Sequence, residues 1–295
     1  MTAQPDLFDR DLFRVRRERA LRLGAPGTDF LLAEVAHDLA DRLRLVNRRF
    51  QTAVDLGGHT GLISKAISSS GKVDKTIRAD LFFPDPVLSA PDLVCDEACI
   101  PFKPQSCDLI VSALTLHAVN DLPGSLVQIR RSLAPDGLFL AVLPGAGTLT
   151  ELRDSLTRAE LECTGGAAAR VLPFADTRDL GSLLQRAGFA LPVTDLDTLT
   201  VRYDNMFALV KDLRNMGATS ILKQTARHPL SRRTLFRAAE IYAENHADSD
   251  GRIRASFALV TLSGWAPHES QQQPLRPGSA KSRLADALGV KEQKV

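Results

Sequence analysis

The chain has 295 residues, 44% of them hydrophobic and 24% charged, with a formal net charge of +2 and 4 Cys. That length fits one large domain or two small ones with ample material for a core, and the near-neutral balance argues against a dedicated nucleic-acid binder, whose basic excess would concentrate on one face. Four cysteines make no disulfide framework, so a reducing, cytoplasmic setting is expected, and the longest apolar run, residues 138–143, falls far short of the roughly 18 residues that span a bilayer.

Residues 1–6 lack a basic stretch followed by an apolar one, and the early acids Asp6, Asp9 and Asp11 do not suit a transit peptide. These acids precede Arg10, Arg14, Arg16, Arg17, Arg19 and Arg22, with Leu7, Phe8, Leu12, Phe13, Val15 and Leu21 interleaved. Acids early and bases late suit a helix dipole, which predicts a short amphipathic helix ended at Gly24 and Pro26. Its arginines read as a solvated face, with a substrate protein or an anionic membrane surface as the alternative contact. A second helix is predicted from Thr28 or Asp29, putting Phe30, Leu31, Val35, Leu39 and Leu43 at helical spacing.

From about residue 50 short apolar runs alternate with helical stretches. Strands are predicted over 53–57, 75–80, 92–95, 107–113 and 138–143, and helices over 62–67 and 122–133, the latter broken by Ala134-Pro135-Asp136-Gly137. Such alternation implies right-handed crossovers and a mostly parallel sheet covered on both faces, an α/β Rossmann-like fold. Further helices are predicted over 148–161, 177–187 (with Gly188 as a C-cap), 205–216 and 232–245. Strands are predicted over 196–203 and 253–263, the last antiparallel. The chain divides into N-terminal helices (1–48), a ligand-binding core (49–147), helices and last strands of the same domain forming a lid (148–265), and a polar, mobile tail (266–295) with room for one short helix over 282–288.

Asp55-Leu56-Gly57-Gly58-His59-Thr60-Gly61 follows a strand and opens a helix, the context in which a glycine-rich loop carries meaning. Glycines let the backbone turn tightly and approach a ligand, and the helix N-terminus offers unpaired N–H groups to an anion. Asp80, at the end of the next strand, stands where Rossmann-type sites hold a ribose hydroxyl pair, and Cys95-Asp96-Glu97 ends the third strand within reach of a base edge. A nucleoside-containing cofactor at the carboxyl ends of the strands is the expectation.

This order of elements, with Asp55-x-Gly57-x-x-x-Gly61, a second acid, and Asp96…Pro101-Phe102…Asp108-Leu109-Ile110, resembles the class I S-adenosylmethionine-dependent methyltransferases across the five strands of the core. A narrower resemblance runs over nearly the whole chain. Phe8-Asp9-Arg10-Asp11-Leu12…Arg16-Arg17-Glu18-Arg19-Ala20, Leu116-His117-Ala118-Val119-Asn120-Asp121-Leu122-Pro123, Gly147…Arg153, Asp179…Leu184 with Arg186-Ala187-Gly188-Phe189, Asp212…Gly217 and Gly264-Trp265…Gln271 are similar to the family of complex I assembly factors acting as arginine hydroxylases. The resemblance implies a seven-stranded class I methyltransferase fold with a helical lid, S-adenosyl-L-methionine as cofactor, and a protein substrate, an arginine of a complex I subunit. The expected cofactor-binding set is Asp55, Gly57, Gly58, His59, Gly61, Asp80, Asp96, Glu97 and Ser112, with the ribose on Asp80, the adenine amine near Asp96 and the methionine end at the 57–61 loop. Two departures stand out: His59 replaces the family's middle glycine, bringing a β-carbon where the cofactor approaches the backbone, and Ala118 replaces a tryptophan.

The malonyl-carrier-protein methyl ester synthases of biotin synthesis resemble the core similarly but lack the arginine-rich start and the Trp265…Gln271 ending. A non-catalytic assembly module with a degenerate cofactor site is the third reading, which His59 would permit. For catalysis only His117 and Asn120 stand out, because they follow the fourth strand, whose carboxyl end faces the reacting group; Asn120 serves equally well as a helix cap, and Tyr203 is a weaker candidate. Cys95-x3-Cys99-x7-Cys107 has neither zinc nor iron–sulfur spacing and reads as core and loop. His246, Asp248 and His268 imitate an iron triad in residue type only and read as a solvated turn and tail, so no metal is expected.

Overall fold

The computed structural model describes residues 6–83, 90–223 and 229–272, together with Gly289. Asp9 accepts a hydrogen bond from Leu12 N and caps helix α1 (Arg10–Leu23), which ends where Gly24 takes a φ of 50°. Helix α2 (Phe30–Leu45) buries Leu31, Val35, Leu39 and Leu43, the stripe its sequence spacing predicts.

The core follows as strand β1 (Phe50–Leu56), helix α3 (Leu62–Ser69), strands β2 (Val73–Asp80), β3 (Leu93–Val94) and β4 (Cys107–Ala113), helix α4 (Leu122–Ser132) and strand β5 (Leu133–Pro144). Helices α5 (Thr150–Thr164) and α6 (Thr177–Arg186), strand β6 (Ala190–Tyr203), helices α7 (Met206–Asn215) and α8 (Arg232–His246) and strand β7 (Ile253–Trp265) complete it. One sheet joins all seven strands in the order β3-β2-β1-β4-β5-β7-β6. The first five run parallel and β7 runs antiparallel to both neighbours, the α/β arrangement expected from the sequence. The chain steps outward from β1 through β2 to β3, then returns to lay β4 on the other side. That reversal opens a crevice at the carboxyl ends of β1 and β4.

Strand β5 shows why the sheet is buried on both faces. Leu138, Leu140 and Val142 join one core cluster with residues of α2, α3, α5, α7 and α8, while Phe139, Ala141 and Leu143 join a second with residues of α4 and α6. Each such side chain, fully withdrawn from water, contributes about 1.5–3 kcal/mol. A third, smaller cluster brings Phe8 and Phe13 against Ala118, Leu172, Ile221 and Leu222, seating α1 over the carboxyl ends of the strands.

Two strands differ from expectation. β5 starts at Leu133, so Ala134-Pro135-Asp136-Gly137 is a bulge inside a strand where a break between helix and strand was predicted: pairing jumps from Cys107–Leu133 to Leu109–Leu138, and Asp136 takes a φ of 60°. Arg48 binds the carbonyl and carboxylate of Asp136, and backbone bonds link Asp136 N to Ala266 O (3.1 Å) and Ala266 N to Gly137 O (2.8 Å). β6 begins at Ala190, six residues before the predicted start, because β7 continues as its partner to Trp265. The tail is held as far as Gln271, whose side chain donates to Asp136 Oδ1 and Ala266 O; the helix expected over 282–288 lies outside the described residues.

Candidate cofactor and active site

The loop after β1 is shaped by close approach. Gly57 has a φ of 81°, and a β-carbon there would lie 2.6 Å from Thr115 Oγ1 and 2.9 Å from Glu97 Oε1. Gly58 is crowded by the Arg78 and Asp55 side chains, and Gly61, with a φ of 79°, opens α3 beside the Arg78 guanidinium. His59 is the exception, a β-carbon-bearing residue at a φ of 36°, a conformation costing about 1 kcal/mol. Asp55 is fully buried at the end of β1. Its Oδ2 accepts from Ser64 N (2.9 Å) and Ser64 Oγ (2.6 Å), its Oδ1 has no partner, and burial pushes its pKa up to about 6.

The other acids close the same corner. Asp80 Oδ1 accepts from Leu81 N (2.7 Å) and Asp96 Oδ1 from Ala98 N (2.8 Å), while Glu97 is 1% exposed with Oε1 unpartnered beside Gly57. The structure thus brings Asp55, Gly57, Gly58, Gly61, Asp80, Asp96 and Glu97 together at the strands' carboxyl ends. Ser112 stands apart in role: its hydroxyl donates to Leu56 O (2.8 Å), tying β4 to β1, and it does not face open space.

Sequence reasoning missed two residues here. Arg10 Nη2 lies 2.7 Å from Asp96 Oδ1 and also binds Glu97 Oε2, and Arg17 Nη2 lies 3.1 Å from Gly57 O and 3.5 Å from Asp80 Oδ2. Phe13 sits between their guanidiniums, with its centroid 5.2 and 5.3 Å away. The solvated face expected for α1 holds for Arg14, Arg19 and Arg22, of which Arg14 and Arg22 pair with Glu18, and is corrected for Arg10, Arg16 and Arg17: Arg17 is 6% exposed and Arg16 binds Ser220 O. The signal lay in the spacing, which puts Arg10, Phe13 and Arg17 on one helix face.

Beneath α1 and beside the glycine loop lies a cavity of 330 Å³, walled largely by apolar side chains including Phe13, Leu31, Phe174, Leu213 and Phe257. Its polar lining includes Arg17, His59 and His117, and Asp29 is the one carboxylate among its lining residues. From the segment 148–245 the cavity draws Thr148, Leu149, Leu172, Phe174 and residues between Leu213 and Ile221, so connecting loops and the end of α7, not α5, α6 or α8, supply this part of its lining. The His117 ring lies edge-on to Phe13 at 6.5 Å and 6.0 Å from Phe174, with Nδ1 unpartnered. Burial, aided by Arg17 and Arg10, lowers its pKa to about 3, and burial with Arg17 and Arg78 holds His59 well below the ordinary histidine range. Both are neutral imidazoles at pH 7.

Asn120 is neither at the cavity nor a cap. Its Oδ1 accepts from Phe8 N (2.8 Å) and its Nδ2 donates to Phe8 O (3.0 Å), clamping the segment before α1, while Asp121 caps α4 through Gly124 N. Tyr203 donates to Asp212 Oδ2 (2.9 Å), away from the cavity. His246 approaches Asp154, Asp248 pairs with Arg202 and Arg254, and His268 bonds Ser270, so the three do not assemble. Cys95 and Cys107 are buried, and among the described residues no group of three or more metal-ligating side chains occurs.

A family profile described as "Methyltransferase domain" matches residues 29–192. The chain belongs to this methyltransferase family. It is 38% identical to the protein named "Arginine-hydroxylase NDUFAF5, mitochondrial" of Homo sapiens, the match covering 93% of this chain and 81% of the relative, and 36% identical to its namesake in Danio rerio, covering 95% and 89%. A "Malonyl-[acyl-carrier protein] O-methyltransferase" of Xylella fastidiosa is 29% identical, covering 87% and 88%. Among solved structures, the YcgJ protein of Bacillus subtilis shares the fold, with a TM-score of 0.53 at 14% identity over 79% of this chain and 99% of that one.

The protein is therefore an enzyme of the S-adenosylmethionine-dependent methyltransferase superfamily, a transferase or related hydroxylase. The superfamily's cofactor fits the residues in kind: Asp80 offers carboxylate oxygens to a ribose, Asp96 and Glu97 offer acceptors to a base edge, and the glycine loop leads from them to the cavity. Arg10 and Arg17 occupy one side of these acids, and none of the three is among the described residues lining the cavity.

Proposed function

We propose that this enzyme uses S-adenosyl-L-methionine to modify an arginine side chain of a protein substrate, a subunit of respiratory complex I under assembly in a bacterial cytoplasm. What carries this reading is the similarity, over most of this chain, to proteins named arginine-hydroxylase: 36–39% identity extends over 89–95% of the chain, against 29% for two of the carrier-protein methyltransferases. The cofactor, when bound, supplies an electrophilic methyl group on a sulfonium that departs as a neutral thioether. The chain's own task is then to orient the acceptor and exclude water, which Phe13, Phe174 and Phe257 are placed to do. His117, a neutral imidazole lining the cavity, can take a hydrogen bond from an entering guanidinium without itself gaining charge.

One observation favours a second reading. A cavity with apolar walls, Arg17 and a single carboxylate also suits an acidic group on an apolar arm, the acceptor type of the carrier-protein methyltransferases. Incubation with S-adenosylmethionine and either a partly assembled complex I subunit or a malonylated carrier protein, read by peptide mass spectrometry, separates the two. We expect an arginine-containing peptide to gain one methylene, the methyl replacing a guanidinium proton that passes to solvent as the thioether departs, or one oxygen when molecular oxygen and a two-electron reductant are also supplied. Methylation of the carrier alone would overturn the proposal in favour of the second reading.

A further inference from the structure

The adenosine end of the site is closed by the protein itself. Asp80 Oδ2 is taken by Arg17, and Asp96 Oδ1 and Glu97 Oε2 by Arg10. With the other Asp80 oxygen already accepting Leu81 N, a ribose has little left to bind, and a base edge at Asp96 meets a guanidinium. The cavity stops at Arg17 and His59, so what divides it from the acids is one face of α1.

That face is fastened from outside the site. Asp9 N donates to Ile221 O (2.8 Å), Lys223 N to Leu7 O (2.9 Å), Asn120 clamps Phe8 on both backbone groups, and Phe8 pairs with Leu222 as an isolated antiparallel bridge. The contacts cluster at the N-terminal end of α1. Its other end runs into Gly24, Gly27 and a turn at residues 26–29, both glycines at positive φ, a segment that can absorb a change of direction.

Resting on the cofactor reading above, the geometry points to α1 as a latch: Arg10 and Arg17 compete with the nucleoside of S-adenosylmethionine for Asp80, Asp96 and Glu97, and cofactor entry requires α1 to let go of them. Charge explains why the latch holds. The two guanidiniums neutralise clustered carboxylates, Asp80 and Glu97 buried and Asp96 half-buried, that would otherwise repel one another, so the closed form is stable alone and yields only to a ligand that supplies the acids with other donors. The apparent affinity for the cofactor is then lowered by the fraction of molecules in which α1 is closed.

The test is titration calorimetry with S-adenosylhomocysteine, which carries the nucleoside but no transferable methyl, on the full chain and two variants. Arg10→Ala removes a latch residue directly. Asn120→Ala loosens the outer fastening while leaving the acids and their partners intact, and so covers the case in which Arg10→Ala fails to fold. We expect about tenfold tighter binding for Arg10→Ala, the gain when a latch closed in about nine molecules of ten is released, and a smaller tightening for Asn120→Ala. In the unaltered protein the ligand should speed trypsin cleavage after Arg14 and Arg16. Equal or weaker binding by Asn120→Ala, or protection of α1 by the ligand, would overturn the latch while leaving the cofactor reading standing. No binding by any form would overturn that reading and the latch with it.

Discussion

His117, half-buried beside the cavity, and Asp55, fully buried, respond to acid in opposite senses. His117 titrates near 3 in the folded protein, far below its unfolded value, so the unfolded chain binds more protons between roughly pH 6.5 and 3 and stability is lost as pH falls through that window. Asp55 is raised to about 6, so it favours the folded state as pH falls from about 6 toward 4. Comparing His117→Gln with the unaltered protein cancels the Asp55 contribution. Between pH 7 and pH 5 the unaltered protein should lose about 1–2 kcal/mol more than the variant, measured by urea unfolding at the two pH values. Equal losses would show that His117 is free to protonate in place. At this scale the sequence was most legible where a residue's chemistry is fixed by its neighbours in the chain, as for Gly57 and Gly61 in a turn. It was least legible where a partner comes from far away: Asn120 bonds a residue 112 positions earlier, and nothing beside it in the sequence says so.

At the scale of elements, the bulge in β5 shows what periodicity cannot see. Ala-Pro-Asp-Gly reads as a breaker because proline lacks a ladder donor, yet the pleat resumes across it because Arg48, Ala266 and Gln271 take over the bonding of residue 136 and its neighbours. Gly137 is the tight point, since a β-carbon there would lie 2.8 Å from Ala134 O and 3.1 Å from Asp108 O, both backbone atoms. Gly137→Ala should therefore cost about 1–3 kcal/mol, read as a lower urea midpoint at unchanged slope; an unchanged midpoint would mean the bulge yields freely. Helix α1 was legible in its existence and its end at Gly24, and the destination of its arginines was not. An arginine-rich amphipathic helix has the same pattern whether its cations face water or buried acids, and only the acids of β2 and β3 decide between them.

For the molecule as a whole, the alternating run from β1 to β5 sufficed to anticipate a parallel sheet, but the strand order needed the structure. β7, last in sequence, lies between β5 and β6, so the sheet is completed only when the end of the chain arrives. A fragment ending at residue 147 leaves β5, apolar on both faces, as an open edge. Such a fragment should aggregate or lack cooperative unfolding by gel filtration and circular dichroism, whereas a soluble fragment with a sharp transition would show that the core stands alone. The same topology sets an order of events during synthesis. Helix α1 leaves the ribosome before the sheet, yet its fastening at Ile221–Lys223 is made roughly two hundred residues later, a delay of about 10–40 s at ~5–20 residues per second. Throughout that interval Arg10 and Arg17 lack the fastening that holds their helix over the acids at the ends of β2 and β3, so those carboxylates are less firmly covered in the nascent chain than in the finished protein.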